Sequence, residues 1–131
     1  MKQFFLFLTI VIAFASINAT ELIANANLPA DTATISFTET THDYGTIKKG
    51  SDGLCVFTFK NTGKIPVVLS NVQASCGCTT PTWPREPVLA GKSGEITVKY
   101  NTANIGGFQK TITVNSNAKT VVLTIKGSVQ E

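Results

Sequence analysis

From Thr34 onward, apolar residues recur at every second position. Ile35 and Phe37 form the first set, followed by Cys55, Phe57 and Phe59, then Val67 and Leu69. Ile96, Val98 and Tyr100 come next, then Phe108, Ile112 and Val114, and finally Val121, Leu123 and Ile125. Successive side chains of a strand point to opposite faces, so each set lies on one face. Turn-forming residues separate the sets: Lys49-Gly50-Ser51-Asp52-Gly53, Asn61-Thr62-Gly63-Lys64, Gly91-Lys92-Ser93-Gly94, Gly106-Gly107 and Asn115-Ser116-Asn117. No window carries a helical period. Six or seven short strands over about 95 residues predict an all-β antiparallel sandwich of about seven strands. The pattern puts Phe57, Phe59, Val98 and Leu123 inside it. His42-Asp43-Tyr44-Gly45 reads as a strand-to-turn element in which Asp43 caps backbone amides and Tyr44 packs. A reversal near Thr62-Gly63-Lys64-Ile65 would bring Cys55 level with roughly Val72.

The first residues follow a different pattern. Lys2 supplies a positive start, Phe4 to Ala15 form an apolar run of roughly a dozen residues, and small and polar residues continue to Ala19. That is the layout of a secretory signal peptide over residues 1–19, with cleavage after Ala19 preferred and Ala26 second. A spanning helix needs about 20 apolar residues, so the run is short for an anchor. No cysteine follows it, which closes the diacyl-anchored lipoprotein route. The expectation is an exported protein, periplasmic or secreted, with no membrane span after cleavage. Residues 20–34, rich in Ala, Asn and Thr, read as a flexible leader, and residues 35–131 as the sandwich domain.

Charge narrows the partners. The formal net charge is +3, and removal of Lys2 lowers it. There is no basic run, and Arg85 is the lone arginine, so nothing here suits nucleic acid. Lys48-Lys49 reads as a solvated turn.

Candidate chemistry concentrates in Ser75-Cys76-Gly77-Cys78-Thr79-Thr80-Pro81, with Trp83, Pro84 and Pro87 close behind. Cys55 shares a face with Phe57 and Phe59 and reads as a small buried hydrophobe. A disulfide needs Cα atoms within about 7 Å, and a Cys55 bridge to the later pair is not the favoured arrangement. Three readings of Cys76 and Cys78 remain open. They shape a tight turn, with Gly77 taking backbone angles a side chain would forbid; they cycle between dithiol and disulfide; or they bind copper or zinc as thiolates. The metal reading is thin, because His42 is the only histidine and a closed zinc site wants four ligands. A mutual disulfide would close so short a loop that it would be a poor stabilising staple. No nucleophile has a paired base, so no catalytic residue is assigned, and no cofactor is implied. Trp83 reads as a loop anchor, placed with Cys76 and Cys78 at one end of the sandwich. The candidate binding residues are Cys76, Gly77, Cys78, Thr79 and Trp83. The contact surface is the loop from Ser75 to Pro87, or a sheet edge that accepts a partner strand.

The motifs together resemble a known family. His42-Asp43-Tyr44-Gly45-Thr46-Ile47, Phe57-Thr58-Phe59-Lys60-Asn61-Thr62-Gly63, the Ser75–Pro81 motif, Gly91-Lys92-Ser93-Gly94 and Ile125-Lys126-Gly127 occur in the order and spacing of the bacterial domain-of-unknown-function family fifteen-seventy-three. That family is immunoglobulin-like and similar to major sperm protein and ASH domains. Ala90 departs from it, standing where the family usually has proline. The resemblance implies a secreted or periplasmic sandwich and carries no activity with it. The function expected is a non-enzymatic, immunoglobulin-like module that contacts an unknown protein or envelope component. The alternatives are a thiol-disulfide redox protein and a soft-metal binder, both at Cys76 and Cys78.

Overall fold

Among the described residues eight strands form: β1 (Ile35–Phe37), β2 (Thr41–Lys48), β3 (Leu54–Asn61), β4 (Leu69–Ala74), β5 (Thr79–Thr82), β6 (Ser93–Tyr100), β7 (Gly106–Ser116) and β8 (Val121–Gln130). The structure is a computed structural model that describes residues 32–131. The signal peptide expected over residues 1–19 lies outside the described residues, as does the leader up to residue 31. The strands make two four-stranded sheets, in the orders β1-β3-β6-β5 and β2-β8-β7-β4. Every pairing is antiparallel except β2 with β8, which is parallel.

The apolar alternation sets the inner faces. Ile35 of β1, Cys55, Phe57 and Phe59 of β3, and Ile96, Val98 and Tyr100 of β6 are buried from one sheet. Leu69 and Val72 of β4, Phe108, Ile112 and Val114 of β7, and Leu123, Ile125 and Val129 of β8 meet them from the other. Phe57, Phe59, Val98 and Leu123 are each no more than 2% exposed, so the face assignment stands. Burial of each such side chain contributes about 1.5–3 kcal/mol, and together they hold the two layers against each other.

Two strands go beyond the apolar pattern. β2 lies at a sheet edge and alternates only half-buried with exposed positions, so its sequence carries little hydrophobic signal. It is bulged between Asp43 and Thr46, where Gly45 has φ +63° and its N–H donates to Asp43 Oδ1 at 2.8 Å. β5 is only four residues, Thr-Thr-Pro-Thr, and lies inside what reads as the Ser75–Pro87 loop. The hairpin anticipated near Thr62–Ile65 does not form. The chain crosses there from one sheet to the other, so Cys55 lies opposite Val98 and Val72 opposite Val114. The crossing is favoured because β3 is already flanked on both sides, by β1 and β6.

The two ends of the sandwich are built differently. At one, the β2–β3, β4–β5 and β6–β7 connections come together. At the other, Val67 and Val88 form an isolated bridge with reciprocal backbone hydrogen bonds of 2.9 and 2.8 Å.

Candidate functional site

The cysteine motif occupies the turn from β4 to β5. β4 is fixed by its ladder to β7 and β5 by its ladder to β6, which delivers Cys76 and Cys78 to one short reversal. Cys76 and Cys78 are joined as a disulfide, with Cα atoms 5.3 Å apart. The Cys78 N–H donates to Cys76 Sγ at 3.3 Å. The Thr79 hydroxyl lies 3.8 Å from Cys76 Sγ and 3.7 Å from Cys78 Sγ, and Thr79 itself is buried. Below the turn, the Asn101 N–H donates to the Cys78 carbonyl at 2.8 Å. Gly77 corrects one expectation. Its φ is not positive, and a Cβ built on it would meet nothing within 4 Å, so neither backbone nor space demands glycine there.

Cys78 opens onto a shallow groove of about 540 Å³. Gly77, Thr80, Lys99, Asn101 and Asp52 line it too, whereas Cys76 does not reach it. Beneath this end, Cys55 is buried and outside any disulfide. Burial pushes the Cys55 thiol up, and the neighbouring Tyr44 hydroxyl only partly offsets that. Tyr44 is itself pushed up, first by its own burial and then by Cys55. Its hydroxyl donates to the Gly53 carbonyl at 2.6 Å, and its ring packs between His42 and Phe108. A thiol held protonated is a poor nucleophile, so Cys55 is a core residue.

Trp83 is not beside the cysteines. β5 separates them: Thr79 pairs with Tyr100 at one end and Thr82 with Thr97 at the other. The strand within the supposed loop keeps the two features apart, because each β residue advances the chain by about 3.3 Å. Trp83 lines a second groove, of about 560 Å³, with Val88, Lys92 and Glu95. The Arg85 guanidinium stacks over its ring at 3.9 Å, a cation–π contact. Trp83 Nε1 is buried, with no hydrogen-bond partner among the described residues.

Backbone direction at the sheet edges was not readable from the sequence. Because Asn101 donates to Cys78, alternation turns the backbone groups of Thr80 and Thr82 toward β6 and those of Thr79 and Pro81 outward. The Thr79 N–H is taken by the Cys76 carbonyl at 3.4 Å, and Pro81 has no N–H. The outer edge of β5 therefore offers a partner strand no donor, a common way of blunting an edge. β1 is three residues long, and β2 is bulged and carries Asp43 and Lys48. β4 is less protected. Its one irregularity falls at its start, between Leu69 and Asn71, and the ladder from Asn71 to Ala74 is regular. The Ser75 N–H donates to Thr111 at 2.8 Å, so Asn71 and Gln73 face β7 while Val72 and Ala74 aim their N–H and C=O groups outward. The strand's sequence, Leu-Ser-Asn-Val-Gln-Ala, contains no charge and no proline.

Among the described residues, no three His, Cys, Asp or Glu side chains come together as a metal-binding group. Joined to each other, Cys76 and Cys78 offer no thiolate to copper or zinc.

Residues 35–129 match the model of a family described as "Protein of unknown function (DUF1573)". No curated protein matches the chain in sequence. A protein of unknown function from Porphyromonas gingivalis W83 has a similar structure, with a TM-score of 0.66 and 18% identity, covering 78% of this chain and 51% of that one. This chain thus spans about half the length of that protein. The ASH/PapD-like domain 7 of human CEP192 also gives a TM-score of 0.66, at 8% identity, covering 77% of this chain and 88% of that one. The VesB protease of Vibrio cholerae gives 0.59 at 12% identity, covering 75% of this chain but 32% of the protease. At these identities the likenesses show a shared fold alone.

Proposed function

The chain belongs to the DUF1573 family, and from that premise we propose that it is an exported interaction module that takes an extended segment of a partner protein along the edge of β4. The observation that carries this is the contrast between edges. Three of the four are short, bulged and charged, or stripped of donors by proline, whereas β4 turns outward the backbone groups of half-buried Ala74 with no such guard, those of Val72 being covered in the free chain. Main-chain hydrogen bonds supply affinity in this mode, and the side chains flanking the edge supply selectivity. Export rests on the pattern of residues 1–19, and the partner is then a protein of the envelope or the extracellular space.

Ala74→Pro tests the reading, because it removes an outward N–H while leaving the ladder to β7 intact. Tagged parent and variant are used side by side to capture proteins from the envelope fraction. The expected result is a partner retained by the parent and lost with the variant, while both unfold at similar denaturant concentrations. Equal capture by the two would refute the β4 assignment. Amino-terminal sequencing of the exported chain is expected to begin at Thr20, or at Asn27. An intact Met1 in membrane-embedded material would remove the export step.

A further inference from the structure

We infer that Cys76–Cys78 is a thiol-exchange site in which Cys78 takes the incoming thiol and Cys76 is the sulfur released. The disulfide has little to do as a staple. Its partners are two residues apart, and the loop entropy a cross-link removes from the unfolded chain shrinks with loop length. β4 and β5 are held by their own ladders to β7 and β6, so opening the bond releases neither strand. The same anchoring keeps the two thiols beside each other after reduction, which leaves closure with no chain search to make. A bond that can open and close on a folded scaffold, half-buried at the end of the sandwich, is suited to exchange.

Two observations assign the roles, and they agree. Both cysteines are half-buried, but Cys78 lines the groove that holds Lys99, Asn101 and Asp52 and Cys76 does not, so the groove gives an incoming thiolate an approach to Cys78. The Cys78 N–H points at Cys76 Sγ at 3.3 Å, ready to stabilise negative charge on that sulfur. A thiolate stabilised in this way is the better leaving group. The Thr79 hydroxyl is almost equidistant from both sulfurs, so it assists exchange without choosing between them.

The step balances with a protein or peptide dithiol as co-reactant. One substrate thiolate attacks Cys78 Sγ; a Cys78–substrate disulfide forms, the Cys76–Cys78 bond breaks, and Cys76 leaves as a thiolate. The substrate's second thiolate then attacks its own sulfur in the mixed disulfide, closing a substrate disulfide and releasing Cys78. Two electrons pass from the substrate to the cysteine pair, and the two substrate protons end on Cys76 and Cys78. The reverse sequence, with a disulfide-bearing substrate, restores the pair. Cys55 takes no part, because it is buried and its thiol is held protonated. The pair therefore works without scrambling to a third cysteine.

The site is independent of strand addition at β4, and glutathione tests it without a partner strand. The oxidised full chain is exposed to reduced glutathione, quenched in acid, alkylated and mapped by mass spectrometry. Glutathione is expected on Cys78 and the alkyl group on Cys76, with a preference of about tenfold or more, the size of effect that leaving-group and access differences produce in exchange. Circular dichroism is expected to be unchanged by reduction, and Cys55 to stay unlabelled until denaturant is added. Glutathione on Cys76, equal labelling of both, reduction only in denaturant, or unfolding upon reduction would each overturn the proposal.

Discussion

Asn61 reaches across 27 positions of sequence to Val88: its Nδ2 donates to the Val88 carbonyl at 2.9 Å, and also to the Ile65 carbonyl at 2.8 Å. Its Oδ1 accepts the Gly63 N–H at 3.0 Å, and the residue is fully buried. Its own backbone closes onto Lys92 and Gly91 at 2.9 and 2.8 Å. One amide thus organises both connections at the end of the sandwich that carries Trp83. Asn61→Ala takes the side-chain partner from the half-buried Ile65 carbonyl and Gly63 N–H and one of two donors from the Val88 carbonyl, and is expected to cost about 1–3 kcal/mol in urea unfolding. Asn61→Asp is expected to cost more near neutral pH, since it turns an acceptor toward two carbonyls. A loss under about 0.5 kcal/mol for both would show that water replaces these bonds without cost.

Asn61 also marks how far the sequence could be read. Asn-Thr-Gly was legible as a turn, and the turn is there, but nothing local shows that its asparagine is buried and holds a loop 27 positions away. The alternation identified the core strands because each buried face writes itself every second residue. β5 escaped, and β2 was read only as the strand-to-turn element at His42–Gly45, because these two edge strands bury too little to impose that pattern. The cysteine motif stood out in the sequence, and the structure joins its two cysteines as a disulfide. Its separation from Trp83 was not legible, since it depends on four residues, Thr79–Thr82, pairing with β6 rather than looping. Nor could β4 be recognised as the open edge, because an edge is defined by what fails to pair with it, and pairing is a property of the whole topology.

Gly94 lies opposite Phe59, and its missing side chain makes room for that ring. A Cβ built on Gly94 would lie 2.5 Å from Phe59 Cζ and 2.9 Å from Cε1. Phe59 is 1% exposed and packs against Phe37, so its ring has little freedom to retreat. Gly94→Ala is therefore expected to destabilise the chain by about 1–3 kcal/mol, the usual penalty for overpacking a core. Thermal unfolding checks this, and an unchanged or raised Tm would show that the ring yields.

Alkaline pH is expected to weaken the fold through Tyr44 and Cys55. Burial raises both groups above their ordinary values of 10.0 for the phenol and 9.0 for the thiol. The folded chain then keeps protons that the unfolded chain has lost, so their contribution is whole below pH 9.0 and falls as pH rises beyond it. Denaturant midpoints measured from about pH 7 to about pH 11 are expected to decline above about 9, and less steeply in Cys55→Ala. Tyr44→Phe is expected to lose about 1 kcal/mol at neutral pH, with its bond to Gly53, yet to decline less steeply above pH 10.0. A parent midpoint flat across that range would contradict the assignment.

The double variant Cys76→Ser, Cys78→Ser separates stability from exchange. The disulfide joins residues only two positions apart, and each flanking strand has its own ladder, so the fold does not hang on the bond. Serine is smaller than cysteine and hydrogen-bonds more strongly, so the backbone N–H that now donates to Cys76 Sγ keeps an acceptor in the hydroxyl that replaces it. The expected cost is under about 1 kcal/mol, far below the roughly 2–5 kcal/mol typical of removing a structural disulfide from a small secreted domain. Far-ultraviolet circular dichroism and the urea midpoint measure the first half of this expectation, and loss of all glutathione exchange on native protein measures the second. A drop of several kcal/mol would make the bond a staple after all, and its place at the end of β4 would then serve to hold that edge straight for a partner strand.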